Sequence, residues 1–153
     1  MEYYYRGYYE SPIGIISLTA DKDSLLKAEF AEGREPGQKN SIIQDAVVQL
    51  SEYFNCNRKT FDLSIRYEGS SFFMKVLAEC MHISYGRTSS YGRLAQNIGK
   101  PGGARAVGQA LGRNPLVIIV PCHRVTGANN RLTGFSCGIW RKRYLLGLES
   151  GSV

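Results

Sequence analysis

Asn114-Pro115-Leu116-Val117-Ile118-Ile119-Val120-Pro121-Cys122-His123-Arg124-Val125 is the stretch around which the rest of the chain is ordered. The aliphatic run from Leu116 to Val120, closed by proline, reads as a short buried strand. Its exit, where catalytic groups commonly sit, carries a thiol and an imidazole side by side in Cys122 and His123. An isolated Cys-His pair is more often a packed cysteine beside a chance histidine, because free cysteine is among the most buried residue types. What flanks the pair decides between a structural and a reactive thiol.

The chain has 153 residues, of which 43% are hydrophobic, enough to bury a real core. No apolar segment approaches the roughly 18 residues of a membrane span, and the tyrosine-rich start lacks the basic flank and aliphatic centre of a signal peptide. A cytoplasmic protein is expected, nucleoid-associated in a prokaryote. Cysteines 56, 80, 122 and 137 show no Cys-x-x-Cys spacing, so neither a disulfide framework nor a zinc site is indicated. Cys80 and His82 are two apart, but the further ligands a zinc site needs are missing from their neighbourhood. The net charge of +6 is unevenly spread. Residues 1–79 hold twelve acids against nine Lys and Arg, whereas residues 80–148 hold ten Lys and Arg and no acid. The second half therefore reads as a polyanion-binding surface. Glu149 ends the acid-free run.

Upstream, Tyr3 to Glu10 and Ile13 to Thr19 alternate tyrosine and β-branched residues around Ser11-Pro12, the pattern of two strands and a tight turn. Leu25 to Phe30 reads as a third strand. Ser41 is the expected cap of a helix whose apolar positions Ile42, Ile43, Ala46, Val47 and Leu50 recur at helical spacing. Phe61 to Ile65 reads as one more strand. The fold class is thus α/β (α+β), a small antiparallel sheet with a helix followed by a mostly helical part. The domain boundary falls in Arg66 to Ser70, giving a scaffold domain over 1–68 and a second domain over 69–153.

In that second domain Ser71 is the expected cap of a helix with Phe72, Phe73, Val76, Leu77 and Cys80 on one side, ending near Ile83. Ser90 is placed to cap the helix that begins at Tyr91. Gly99 to Gly103 breaks it, and Ala104 to Gly112 forms the next. Two short helices across a glycine-rich turn in a basic segment make a helix-turn-helix. Ala104, Ala106 and Gly108 leave one face of the second helix nearly bare, with Arg105 the long cation among them. Beyond Val125, Asn129-Asn130 suggest a turn, and Gly134-Phe135-Ser136 with Gly138 a loop able to close over a pocket. The last helix sets Ile139, Trp140, Tyr144, Leu145 and Leu148 in an apolar stripe and brings Glu149 to its end.

Pro121-Cys122-His123-Arg124-Val125, behind Asn114-Pro115 and an aliphatic run, resembles the active-site motif of the O6-alkylguanine-DNA alkyltransferases, proteins that accept an alkyl group on cysteine. The likeness runs from Ser11-Pro12-Ile13-Gly14 to Glu149 and is dense from Tyr85 onward. It implies a ribonuclease H-like first domain and a DNA-binding second one. Double-stranded DNA carrying O6-alkylguanine, gripped through the minor groove by a monomer, is the implied partner, and neither cofactor nor metal is expected. Thr88-Ser89-Ser90-Tyr91-Gly92 is similar to the family segment whose tyrosine helps rotate the target nucleotide, which implies that role for Tyr91. Ala104 to Gly108 resembles the recognition helix whose arginine, here Arg105, enters the base stack, with Arg113 a further DNA contact. Asn114 matches the asparagine that ties the hairpin to the active-site segment. The pocket implied for guanine includes Phe72, Val125, Phe135 and Ser136. Two features depart from the pattern. The helix at Phe72 lacks the proline and tryptophan common nearby, and Phe135 stands where tyrosine is frequent.

The chemistry needs a soft nucleophile and a proton for the departing base. A free thiol, with a pKa of ~8.5, is only a few per cent thiolate near neutrality, so Cys122 needs a proton acceptor, and of the two histidines His123 is the adjacent one. The resemblance implies a water between Cys122 and His123 and a carboxylate, Glu149, orienting the imidazole. A thioether has no easy hydrolytic exit, so transfer should stop at one event, from O6-alkylguanine or O4-alkylthymine. Two other classes compete. A non-reacting lesion-recognition protein of this fold would typically lack Cys122. A Cys-His hydrolase would turn over repeatedly and leave the basic half unexplained.

Overall fold

The structure, a computed structural model, describes residues 3–152. Residues 1, 2 and 153, at which the two expected domains begin and end, lie outside the described residues. The chain forms two compact units. One comprises the chain up to Tyr67 together with Pro115–Ile119, and the other comprises Glu68–Asn114 and the chain from Val120 on.

The first unit is built on three antiparallel strands, β1 (Tyr5–Ser11), β2 (Gly14–Ala20) and β3 (Leu25–Ala31), in the order β1-β2-β3. Ser11 pairs with Gly14 across the hairpin, and the Ser11 hydroxyl closes the turn by donating to Gly14 O (2.7 Å) and accepting from Ile13 N–H (3.1 Å). Alternate residues Ile16, Leu18 and Ala20 point inward and are fully buried, as the period-2 pattern dictates. Helix α1 (Ser41–Phe54) covers the sheet with Ile43, Ala46, Leu50 and Tyr53. Its approach to β1 is so close that a Cβ at Gly7 would collide with Ile43 Cγ2. The cap is Asn40, whose side chain accepts from Ile43 N–H, and Ser41 is the first helical residue.

Two expected strands are not formed. Phe61 to Ile65 is extended only to a single bridge between Leu25 and Ile65; the segment is held instead by Gln49, which donates to Asp62 O (2.9 Å) and accepts from Asp62 N–H (2.8 Å). Leu116 to Val120 is buried throughout, but it too makes only one bridge, Ala28 with Leu116. The reason is Ile118, which sits at φ 73°, while Ile119 N–H turns back to Val117 O at 2.8 Å. A γ-turn centred on a β-branched residue is rare and strained, and it ends any strand. Pro115–Ile119 therefore belongs with the sheet of the first unit, through Ala28 N–H to Pro115 O and Val117 N–H to Ala28 O, although the sequence reading put it in the second domain.

The second unit is mostly helical: α2 (Ser71–Cys80), α3 (Tyr91–Asn97), α4 (Ala104–Leu111) and α5 (Ile139–Ser150), with two short strands, β4 (Ser89–Ser90) and β5 (Val125–Thr126). Ser70, one residue before the expected Ser71, caps α2 by accepting from Phe73 N–H, and α2 stops at Cys80 rather than near Ile83. Ser90 caps α3, accepting from Arg93 N–H at 3.0 Å. α3 and α4 pack as a helical hairpin, burying Leu94, Ala95, Val107, Ala110 and Leu111. β4 and β5 pair in parallel, Ser89 with Val125 and Ser90 with Thr126, which draws the start of α3 to the end of the Cys122 segment. The stripe expected on α5 is only half apolar. Ile139 and Trp140 are exposed, and the buried face is Lys142, Leu145, Leu148 and Glu149. No helix of the described residues is long and apolar enough to cross a membrane.

Candidate active site

Pro121 sets the site. With φ −80° and ψ 61° it centres an inverse γ-turn, in which Cys122 N–H donates to Val120 O at 2.8 Å. Its ring holds φ near the required value at no further cost. A 3-10 turn over Cys122–Arg124 follows, with Arg124 N–H on Pro121 O. Three adjacent side chains, a thiol, an imidazole and a guanidinium, are thereby buried in one turn.

Asn114 faces this turn from the end of the α3–α4 hairpin. Its Nδ2 donates to Val120 O at 2.9 Å and to Cys122 Sγ at 3.1 Å. Burial pushes the Cys122 thiol up to about 11, against the opposing pulls of the Asn114 donor and the Lys142 ammonium. The sulfur therefore rests as a thiol near neutrality.

His123 is fully buried, with Nε2 2.7 Å from Glu149 Oε2. Its Nδ1 is also buried and has no hydrogen-bond partner among the described residues. Burial holds the imidazole below the usual histidine range, with Glu149 pulling the other way, so His123 is a neutral base at rest. Glu149 is brought in by the last turn of α5, 25 and 26 residues from its partners. It is not held by His123 alone. Arg124 Nε donates to Oε1 at 2.8 Å and Nη2 to Oε2 at 3.0 Å, and the Gly86 N–H reaches Oε1 at 3.3 Å. Arg124 Nη1 also donates to Ile83 O at 2.7 Å. Sequence reasoning gave Arg124 no role, although it lies inside the motif. The structure makes it the main counter-charge of the carboxylate.

Lys142 is the second residue the sequence reading missed. It is fully buried, donates to Thr133 O at 3.0 Å and reaches Tyr91 Oη at 3.4 Å. Its ammonium also lies 5.7 Å from the Tyr91 ring centre and 5.9 Å from that of Phe135. Burial lowers its pKa and the Cys122 charge raises it. A pattern search for apolar residues passes over a lysine, but its spacing of three and seven from Leu145 and Glu149 puts it on their face. Tyr91, half-buried at the start of α3, donates to Thr133 O (3.0 Å) and Gly134 O (3.3 Å). Burial raises its pKa, which keeps the phenol protonated.

The remaining expected residues divide into two sets. Val125 is buried beside the site, Phe135 is half-buried over Lys142, and Ser136 is exposed on the loop. On α4, Arg105 and Ala106 are exposed and Ala104 and Gly108 half-exposed, with the Tyr91 ring 3.6 Å from where a Gly108 Cβ would stand. Arg113 is exposed and lies 5.8 Å from the ring centre of Phe73. Phe72 is half-buried on α2, and it is Phe73 that turns inward. Among the described residues no three His, Cys, Asp or Glu side chains group to hold a metal.

Comparison with known proteins places the chain in a family. The family model for the DNA binding domain of 6-O-methylguanine DNA methyltransferase matches residues 71–151, and that for its ribonuclease-like domain matches residues 4–67. The chain belongs to the 6-O-methylguanine DNA methyltransferase family. It is 41% identical over 152 residues to the methylated-DNA--protein-cysteine methyltransferase of Methanosarcina acetivorans, covering 95% of this chain and 97% of that one. It is 43% identical over 146 residues to the protein of that name from Mycobacterium tuberculosis, covering 92% and 88%. Among solved structures it is similar to Mycobacterium tuberculosis O6-methylguanine methyltransferase (TM-score 0.87, 39% identity, 98% and 94% of the two chains). It is also similar to the same organism's OGT crystallised in complex with DNA (TM-score 0.88, 41% identity, 99% and 94%). Membership carries the family's class with it: a DNA-repair methyltransferase with a DNA-binding domain.

Proposed function

We propose that this protein repairs O6-alkylguanine in double-stranded DNA by moving the alkyl group onto Cys122, once per molecule, after the damaged nucleotide has been turned out of the helix. The observation that carries this reading is the buried Cys122 thiol, gripped by Asn114 and followed directly by an imidazole whose far nitrogen is bonded to Glu149. That His123 leaves its Nδ1 without a protein partner supports a proton path from the thiol, through one water, to that nitrogen.

Cys122 gives its proton to His123, and the imidazolium is stabilised by the Glu149 carboxylate. The thiolate sulfur forms a bond to the alkyl carbon as the bond from that carbon to guanine O6 breaks, and the electron pair passes into the purine. The Tyr91 phenol gives its proton to the purine ring, and the proton taken up by His123 passes through solvent to restore the phenol, so that both side chains end neutral. Tyr91 must first leave Thr133 O and Gly134 O, and Lys142 would hold that loop in its absence. The products are guanine and S-alkylcysteine, a thioether that water does not hydrolyse.

On the DNA side, α4 presents Arg105 among Ala104, Ala106 and Gly108. A nearly bare face suits the narrow minor groove, and an arginine can fill the space left by an extruded nucleotide. Arg113 would add a phosphate contact at the end of the hairpin. The protein acts as a monomer in the compartment that holds the DNA. The test is intact-protein mass after mixing with O6-methylguanine duplex. A gain of one methyl group, mapped to the Cys122 peptide and lost in Cys122→Ser, is the expected result. A methyl group on Cys137 or Cys80, or no gain from a duplex that is nevertheless bound, would reject it.

A further inference from the structure

Trp140 is the chain's single tryptophan, and the core does not use it. It is 55% exposed at the start of α5, beside Ile139 at 42%. An indole left in water is ordinarily mobile, but this one is held. The Arg141 guanidinium lies 4.7 Å from the ring centre, and Arg141 Nη1 is itself anchored on Cys137 O at 2.9 Å. Below, the indole edge rests on Gly138, where an added Cβ would stand 3.1 Å from Cδ1 and Nε1. Gly138 has φ 101°, so both its space and its backbone favour glycine. The result is a fixed aromatic plate, backed by a cation, directly following the loop of Phe135 and Ser136.

The plate is tied to the residues assigned above to DNA by a chain of contacts. Gly108 of α4 packs on the Tyr91 ring, the Tyr91 hydroxyl bonds Thr133 O and Gly134 O, and the same loop ends at Gly138 under the indole. All of these lie in the second unit. Arg131 and Arg143 are exposed nearby in sequence, and no acid occurs from residue 80 to residue 148. An exposed indole backed by an arginine, in a stretch of chain rich in arginine and free of acids, matches a polyanion whose units carry π-faces, and a nucleic acid strand is such a partner. A held plate also loses little conformational freedom on binding.

We propose that Trp140, propped by Arg141, is a stacking platform for the DNA strand beside the extruded nucleotide. This rests on the DNA-repair reading of the preceding subsection. The experiment uses full-length Cys122→Ser, which cannot react, and follows the emission of the single tryptophan together with the anisotropy of a labelled duplex containing O6-methylguanine. Duplex should quench Trp140, and Trp140→Ala should weaken duplex binding about tenfold. Trp140→Phe, which keeps a ring and whose fold can be checked by circular dichroism, should stay within about threefold of the parent. Unchanged emission at duplex saturation, with Trp140→Ala binding as tightly as its parent, overturns the proposal. Quenching by free O6-benzylguanine but not by duplex overturns it in favour of a contact to the adduct. A sedimentation shift with protein concentration alone, abolished in Trp140→Ala, overturns it in favour of a second copy of this chain. Failure of the DNA-repair reading itself would show separately, as a parent whose anisotropy never rises.

Discussion

Glu149→Gln tests the charge network behind the thiol, and its companion Arg124→Met should move the same observable the other way. The Glu149 carboxylate accepts from His123 Nε2, from Arg124 Nε and Nη2, and from the Gly86 N–H. Glutamine offers one acceptor oxygen and turns an NH2 toward donors. Arg124 and Glu149 have side-chain exposures of 7% and 1%, so solvent cannot screen the loss. Breaking one side of a buried ion pair costs about 3–5 kcal/mol, and the thermal midpoint should fall by roughly 10 °C. The effect on rate is smaller and more diagnostic. Burial already holds His123 below the ordinary histidine range, and Glu149 is what opposes that. Without the carboxylate the imidazole becomes a weaker base, and each unit of pKa is about 1.4 kcal/mol, or tenfold in the proton-transfer equilibrium that precedes attack. Because Arg124 already offsets part of the carboxylate charge, the loss should be about tenfold rather than larger. The acid limb of the pH–rate curve should move to lower pH. In Arg124→Met the carboxylate loses its guanidinium counter-charge and the imidazole loses a neighbouring cation that lowers its pKa, so the imidazole becomes more basic and the limb moves to higher pH. Single-turnover transfer measured from about pH 5 to 9 reads both. If both variants keep the parental midpoint, whatever their stability, Glu149 and Arg124 merely hold the fold and the proton relay is wrong.

Lys142→Met should slow transfer about tenfold and raise the apparent pKa of Cys122, since the ammonium is one of the influences that pull the thiol down; the pH dependence of iodoacetamide labelling at Cys122 measures it. Arg105→Ala should slow repair of duplex by at least about tenfold more than reaction with free O6-benzylguanine, which needs no extrusion; equal losses on the two substrates would remove Arg105 from that step. Alkaline unfolding offers a third check. The folded Cys122 thiol is raised to about 11 from an unfolded value of ~8.5, so its contribution to stability is complete below about pH 8.5 and is lost as pH rises toward 11. Cys122→Ser should flatten that part of the stability–pH curve, and an unchanged slope would mean the thiol is less buried than it stands here.

The sheet, the hairpin and the Cys-His pair were legible in the sequence because each rests on a local rule: period-2 alternation in β1 to β3, helix caps within one residue at Asn40 and Ser70, and a short motif at 121–125. The misses share a cause. A run such as Leu116 to Val120 records burial, not backbone direction, and nothing in five aliphatics announces that Ile118 adopts φ 73°. Phe61 to Ile65 failed likewise, its backbone being claimed by the Gln49 side chain. On α5 the reading followed hydrophobicity, which put Trp140 in the apolar stripe and passed over Lys142. The packing buries Lys142, which finds Thr133 O and Tyr91, and leaves Trp140 exposed against Arg141 and Gly138. Arg124 was visible inside the motif, but its tie to Glu149 spans 25 residues and depends on where α5 ends.

The most direct test of Cys122 as a one-time acceptor is a count of methyl groups removed per protein. A fixed amount of protein is mixed with increasing O6-methylguanine duplex, and repaired guanine is quantified at completion. The expected result is a plateau at one guanine restored per protein, with the inactive product carrying S-methylcysteine at position 122. Repair that continues in proportion to added substrate, with Cys122 recovered as a free thiol, would contradict it.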